Sequence, residues 1–158
     1  YDIPALQHLE QRLRSGRSAR ELREAAAKLG LRLVKTLQAI LPSEQQPVVE
    51  DYLAACLPQG ISHSAAYGVF CAAAGIDKRD ALAHYLYAQT SGMVTTCVKL
   101  VPLAQTDGQC MLLALTGSFR EILDQAEVCQ EMDLCRSAPG LDIRSMQHEV
   151  LYSRLYMS

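Results

Sequence analysis

The chain has 158 residues, of which 49% are hydrophobic and 20% are charged, and its formal net charge at pH 7 is -2. This length and composition are typical of one globular domain with a hydrophobic core, and they argue against an intrinsically disordered protein. A net charge so close to zero gives no overall attraction to nucleic acid or to an anionic membrane surface. No apolar stretch reaches the roughly 20 residues of a membrane-spanning helix and no signal peptide opens the chain, so we expect a soluble, cytoplasmic protein. Because the first residue is Tyr1 rather than Met, we also expect that an N-terminal portion precedes it.

The predicted elements in the first half of the chain share one pattern: a helix-capping signal, an apolar stripe of helical period, and a breaker. The first helix begins at the capping-box pattern SARE (residues 18–21) and ends before Pro42, while residues 1–17 receive no assignment. The second begins at the similar pattern SEQQ (residues 43–46) and ends at residues 58–60. A third helix covers residues 65–74 and ends at Gly75.

The second half of the chain continues the pattern. Asp77 caps a helix that ends at Pro102, and the capping box TDGQ (residues 106–109) opens another that either divides at residues 117–120 or continues to Ile122. Asp142 is the predicted cap of the last helix. No strand of period two, hairpin turn or fixed-period repeat is visible. The sequence therefore predicts an all-α fold, a single compact bundle of about six or seven helices over residues 1–158.

The six cysteines do not have the spacing of a metal site, because no two of them form a C-x-x-C pair. Four of them lie among alanine, leucine and valine, where a thiol behaves as a small hydrophobic group. We therefore expect these four to be buried and reduced: Cys56, Cys71, Cys97 and Cys110. Cys129 and Cys135 flank an acidic stretch and are the cysteines most expected to be exposed.

The motifs of catalysis are missing from the sequence. Gly108 and Gly117 are isolated glycines rather than parts of a phosphate-binding loop, and no G-x-S-x-G turn is present. The pair His148 and Glu149 matches only half of the zinc motif H-E-x-x-H, because Tyr152 occupies the position of the second histidine. We predict that the chain is not an enzyme and binds no cofactor directly. A helical protein that binds metal through His148 and Glu149 is the weaker alternative.

Two surface features each allow two interpretations. The basic stretch at residues 12–35 is either a nucleic-acid face or a solvated helix face, and the absence of aromatic residues favours the second. Lys99 lies between Val98 and Leu100, so its charge either extends to solvent beyond its apolar neighbours or faces a partner.

The end of the chain is rich in residues that anchor protein interfaces. On a predicted helix over residues 142–156, His148, Tyr152 and Tyr156 lie on one strip at steps of four residues. Tyrosine and arginine combine a large contact area with directional hydrogen bonds, and they are frequent at interfaces. The pattern predicts a docking helix, and the alternative is that the tyrosines cover the core of the chain itself.

These residues also carry a resemblance to a known family. The ending resembles the C-terminal signature of the UreF-type urease accessory proteins, approximately S-x-x-H-E-x-x-Y-S-R-L-[FY]-x-S, which is matched here by Ser145, His148, Glu149, Tyr152, Ser153, Arg154, Leu155, Tyr156 and Ser158. The stretch VKLVPLAQTDGQ (residues 98–109) is similar to the family pattern V-[KR]-L-x-P-x-[GS]-Q-x-D-G-Q, with Ala104 at the position of Gly or Ser. The resemblance spans roughly residues 18–158, and the N-terminal family signature F-P-x-G-[SG]-[YF]-x-x-S-x-G-L-E is absent.

The resemblance implies an all-helical, homodimeric scaffold without catalytic activity. Such a protein bridges a UreD-type (also called UreH) accessory protein and the GTPase UreG in the complex that inserts nickel into apo-urease. By this resemblance the residues that dock the UreD/UreH partner are His148, Glu149, Tyr152, Ser153, Arg154 and Tyr156. By the same resemblance, Lys99, Gln105 and Gln109 are the residues that act in fidelity or in coupling to the GTPase. Nickel is handled by the partner complex, and the alternative function is regulation of the UreG GTPase.

Overall fold

A computed structural model describes residues 1–134 and 138–152 of the chain. In these ranges it contains eight α-helices, two short 3-10 turns and no strand, which confirms the predicted all-α fold. None of the helices described is both long and apolar enough to cross a membrane. The helices are α1 (Ile3–Ser15), α2 (Arg20–Gln38), α3 (Gln46–Cys56), α4 (His63–Ala73), α5 (Lys78–Leu100), α6 (Gln105–Thr116), α7 (Phe119–Val128) and α8 (Pro139–His148).

The chain forms two compact units. The first unit contains Tyr1–Gly75 and the described residues from Met132 onward, which include α1 to α4 and α8. The second unit, Ile76–Glu131, contains α5, α6 and α7. The expectation of one domain over residues 1–158 stays a prediction.

The core of the first unit is formed where α2, α3 and α4 meet. Its buried residues are Val34, Leu41, Val49, Tyr52, Cys56, Ile61, Ala66 and Val69. Gly30 lets α2 approach the chain before α4 very closely, because a Cβ atom at this position would lie 2.1 Å from the carbonyl oxygen of Ile61. Only a residue without a side chain permits this backbone contact.

A buried carboxylate joins α1 to this core. The Glu10 side chain is almost fully buried, and it accepts hydrogen bonds from the Tyr52 hydroxyl and from the Ser62 amide, the latter at 3.0 and 2.9 Å from its two oxygens. Burial raises the pKa of Tyr52 far above its ordinary value and the bond to Glu10 raises it further, so the phenol stays protonated and donates. Hydrogen bonds of this kind satisfy a charge that would otherwise be costly to bury.

In the second unit, α6 and α7 pack on the long helix α5. Asp77 caps α5 as predicted, since its carboxylate accepts from the Arg79 amide at 2.8 Å. The Arg79 guanidinium is paired with Asp124 at 2.6 Å and with Glu127 at 2.9 Å, which ties the start of α5 to α7. A Cβ atom at Gly108 would lie 2.6 Å from Val98 Cγ2, so this glycine permits the close contact of α6 with α5.

Five predicted helix starts differ from the structure. α3 begins at Gln46 and has no side-chain cap, although Ser43 was the predicted cap, and α4 begins at His63, two residues before the predicted start. α2 begins at Arg20 after Ala19 and has no side-chain cap from its own flanking residues, although Ser18 was the predicted cap. α6 begins at Gln105, before the predicted cap, because Asp107 accepts from the Ala104 amide at 3.0 Å. The last helix begins at Pro139 and not at Asp142, so it starts one turn earlier than predicted.

The cysteine prediction is correct for half of the four apolar cases. Cys56 and Cys71 are buried, whereas Cys97 and Cys110 are exposed, so the prediction for these two was wrong. Neighbours in sequence point in different directions on a helix, and apolar flanks therefore do not place a thiol on the packed face. Cys129 is exposed as expected, and Cys135 lies outside the described residues. All five cysteines in the described ranges are free thiols.

Candidate partner-docking site

The last helix, α8, ends earlier than the sequence predicts. α8 packs against α2 and ends at His148, after which residues 149 and 150 form a turn and Leu151 and Tyr152 follow outside it. The predicted helix over residues 142–156 is therefore wrong for residues 149–152, and Tyr152 does not continue a helical strip from His148. The proposed docking residues Ser153, Arg154 and Tyr156 lie outside the described residues.

Glu149 caps the N-terminus of α2. Its Oε1 accepts hydrogen bonds from the amides of Arg20 at 2.7 Å and Glu21 at 3.3 Å, and its Oε2 lies 3.4 Å from Arg20 Nε. The first amides of a helix have no hydrogen-bond acceptor within the helix. The helix dipole is positive at this end, so a negatively charged carboxylate is stabilised there. A residue 129 positions away thus supplies the acceptor that the flanking sequence of α2 does not provide.

His148 adds a second contact between the same elements, with its Nδ1 2.7 Å from Glu21 Oε2. We call Arg20, Glu21, His148 and Glu149 the C-terminal clamp. Partial burial opposes ionisation of Glu149, but hydrogen bonds from the Glu21 and Arg20 amides and from the Arg20 side chain outweigh it and lower its pKa below the ordinary value. The clamp consequently holds Glu149 as a carboxylate at neutral pH.

Apolar side chains beside the clamp point into solvent. Val150 is 85% exposed and Tyr152 is fully exposed, at 106% of its reference area. We call the whole group the C-terminal apolar surface, and it consists of Leu141, Ile143, Met146, Val150, Leu151 and Tyr152. Several large exposed apolar side chains on one segment are typical of a protein interaction site.

A shallow depression lies between α2 and α8, next to the clamp. It is lined by Glu21, Leu22, Ala25, Arg144, Ser145 and His148. Leu22 and Ala25 contribute apolar side chains to this lining, while Glu21, His148 and Arg144 contribute polar ones. A side chain of a partner with an apolar body and a polar tip would match this lining.

The second predicted site surrounds the connection between α5 and α6. Lys99 lies at the end of α5 and is exposed, without an ion pair to any residue in the described ranges. Gln105 begins α6, Gln109 follows one turn later, and both are exposed. Asp107 and Gly108, between the two glutamines, have structural roles as cap and close-packing residue. This surface belongs to the second unit, and the C-terminal clamp belongs to the first.

The sequence interpretation identified His148 and Glu149 as notable but missed their contacts. Arg20 and Glu21, which they bind, were assigned only to a helix start. The residues His148, Glu149 and Tyr152 therefore divide into two clamp residues and one exposed aromatic residue. Across residues 1–134 and 138–152, no three His, Cys, Asp or Glu side chains are arranged to hold a metal ion.

Comparison with known proteins places these features in a family. The model of the UreF family matches residues 1–116. The chain is 37% identical over 166 residues to the urease accessory protein UreF of Actinobacillus pleuropneumoniae serotype 5b, an alignment that covers 100% of this chain and 69% of that protein. It is 36% identical to UreF of Haemophilus influenzae over 95% of this chain and 63% of that protein. Its identity to UreF of Corynebacterium glutamicum is 31%, over 97% and 67% respectively.

These matches extend the resemblance beyond the range inferred from motifs, because they include the first 17 residues. The relatives are named accessory proteins rather than enzymes, which confirms the prediction of a non-catalytic protein. The chain belongs to the UreF family of urease accessory proteins.

Proposed function

We propose that this chain is a non-catalytic scaffold of urease maturation, which bridges a UreD/UreH-type protein and the GTPase UreG during nickel insertion into apo-urease. In this proposal the protein acts as a cytoplasmic homodimer, and nickel is handled by the partner complex. The observation that carries the proposal is the C-terminal apolar surface, because its exposed side chains would gain burial when another protein covers them.

The clamp has a positioning role in this proposal. Glu149 fixes the chain immediately before Val150, so the residues that follow begin from a defined point beside α2. Preorganisation of this kind lowers the entropy lost when a segment docks. We therefore propose that Tyr152, together with Ser153, Arg154 and Tyr156, contacts the UreD/UreH partner, and that His148 and Glu149 position them.

Coexpression with the UreD/UreH-type protein, followed by size-exclusion chromatography, tests the docking surface. Changing Val150→Ser and Tyr152→Ser together is expected to weaken the complex by about 30-fold or more, because a buried aromatic anchor is typically worth at least 2 kcal/mol. Tyr87→Ser is the matched control, since Tyr87 is a half-exposed tyrosine of the second unit. Truncation after Glu149 keeps the clamp and removes the tail, so it should abolish the complex. An unchanged complex with this truncated chain would refute the docking proposal.

A second candidate function is regulation of the UreG GTPase through Lys99. It is favoured by the exposure of Lys99, which has no ion pair with a described residue and is therefore available to a phosphate or carboxylate of a partner. We expect Lys99→Ala to alter GTP hydrolysis by UreG in the assembled complex, with Lys78→Ala at the other end of α5 as control. Equal hydrolysis rates with and without this chain would eliminate this candidate.

A further inference from the structure

Four arginines line one cavity of the first unit. Arg14 belongs to the end of α1, Arg17 to the following connection, and Arg20 and Arg23 to the first turn of α2. The opposite wall is the backbone around Gly60, and the cavity has a volume of 210 Å³. We call it the arginine cavity. The interpretation of residues 12–35 as an ordinary solvated helix face did not anticipate this convergence.

Three of these charges are not neutralised by any carboxylate in the part of the chain that the structure describes. Arg14 donates to the backbone carbonyl of Gln59, and Arg23 donates to the carbonyls of Arg17 and Ser18 at 2.7 and 2.6 Å. Arg17 also donates to a backbone carbonyl, at 2.7 Å. Neutral acceptors hold the guanidinium groups in place without cancelling their charge, and each group keeps further N–H donors free for a ligand.

The acidic residues of the cavity leave a positive balance. Two glutamates line it, Glu10 and Glu24, and Glu149 lies 3.4 Å from Arg20, so four arginines face three carboxylates and one positive charge is in excess. Glu10 is buried and already accepts from Tyr52 and Ser62, so it is directed into the core. Glu24 is 3.8 Å from Arg20, which is a weak exposed contact.

One residue of the cavity lining has a buried side-chain oxygen without a hydrogen-bond partner in the part of the chain described. Gln59 lines the cavity, and the Oε1 atom of Gln59 is buried and accepts no hydrogen bond from any described residue. Buried polar atoms almost always have a partner, so this oxygen indicates a missing donor. A ligand with negative oxygens would pair with the arginines of the same lining.

We propose that the arginine cavity binds a phosphate-class oxyanion, either hydrogen phosphate or the phosphate end of a small phosphorylated molecule. The forked donors of arginine match the oxygens of phosphate in pairs. None of the C-terminal apolar residues lines the cavity, whereas Arg20 lines it and also belongs to the C-terminal clamp. The variants used below leave Arg20 unchanged, so the binding test does not depend on docking.

Isothermal titration of the purified chain with sodium phosphate, at constant ionic strength maintained with sodium chloride, tests the proposal. We expect one site per chain, and glycerol 3-phosphate should compete for it if a phosphorylated molecule is the natural ligand. The double change Arg17→Gln and Arg23→Gln should weaken binding about tenfold or more, since charge-assisted hydrogen bonds are lost. Arg32→Gln is the matched control, because Arg32 lies on α2 away from the cavity.

Arg14→Lys serves as a second variant in case the double change disturbs folding. It keeps the charge but removes the forked donors, and it should also weaken phosphate binding while the circular dichroism spectrum stays unchanged. Absence of phosphate binding, or equal binding by the cavity variants and Arg32→Gln, would overturn the proposal. Displacement of phosphate by a hexaglutamate peptide at lower concentration than by glycerol 3-phosphate would also overturn it, because the cavity would then accept protein carboxylates.

Discussion

Replacement of Gly30 tests how closely α2 approaches the chain that leads into α4. The Cβ atom of Gly30→Ala would lie 2.1 Å from the carbonyl oxygen of Ile61 and 2.8 Å from the carbonyl carbon of Ser62. An ordinary carbon to oxygen contact is about 3.3 Å or longer, so the two backbones must separate by about 1 Å. Because both contacted groups are backbone atoms, no side-chain rotation relieves the overlap.

We expect Gly30→Ala to lower the free energy of unfolding by about 3 kcal/mol, the upper part of the usual range for overpacking. For a chain of this size that corresponds to a decrease in Tm of about 6 to 12 °C. Urea denaturation followed by far-UV circular dichroism measures the effect as a shift of the midpoint. The contact also explains why a glycine, which costs helix stability, stands inside α2.

Gly68→Ala is the matched control for this experiment. Gly68 lies inside α4, and no atom is within 4 Å of the Cβ position that an alanine would occupy. The same substitution should therefore raise stability by about 0.5 to 1 kcal/mol through helix propensity alone. If Gly30→Ala and Gly68→Ala shift the urea midpoint in the same direction, the close approach of α2 to Ile61 is refuted.

Three further predictions concern buried and titrating groups. Tyr52→Phe should lower the free energy of unfolding by about 1.5 to 3 kcal/mol, because the buried Glu10 side chain then loses the hydrogen bond that the Tyr52 hydroxyl donates. Thermal denaturation measures this difference. The exposed control Tyr87→Phe should change the free energy of unfolding by less than about 0.5 kcal/mol. The lowered pKa of Glu149 implies stabilisation that is complete above its ordinary value of 4.5 and lost as pH falls through the folded-state pKa. Glu149→Gln should therefore be less stable than the unchanged chain at pH 7, with a difference in urea midpoint that disappears in acid. Burial lowers the pKa of His63 below 6.5, so stability should decrease as pH falls from 7 to 5, and His63→Gln should flatten that slope.

Local signals in the sequence were sufficient for most helices. Asp77 caps α5 where predicted, and the chain between Gly117 and Phe119 divides α6 from α7 at the predicted point. These features depend on residues within one helical turn of each other, so they are readable without tertiary contacts. The start of α1 was equally readable and was missed, because Asp2 accepts from the Ala5 amide and Pro4 lies in the first turn.

Exposure was less predictable than secondary structure. Cys97 and Cys110 each have apolar residues on at least one side in the sequence, as the buried Cys56 does, yet both are exposed on α5 and α6. Which side of a helix is covered depends on the helices that pack against it, and Gly108 shows where α6 meets α5. The arginine cavity was unpredictable for the same reason, since its two walls come from segments about 45 residues apart.

The end of the chain shows why residue type alone does not separate an internal role from a docking role. A carboxylate that caps a helix and a carboxylate that binds a partner both accept hydrogen bonds from amide or guanidinium donors, so Glu149 fits either role in a sequence. The decisive fact is that the start of α2 lacks a side-chain cap of its own and lies where Glu149 reaches it. Once Glu149 and His148 are engaged with Arg20 and Glu21, the remaining docking candidate in the described part of the motif is Tyr152, whose ring is fully exposed. If the docking proposal holds, the same motif contains both the residues that anchor the segment and the exposed residue that contacts the partner. Substitution of either part should then weaken the complex, in one case through lost positioning and in the other through lost contact area.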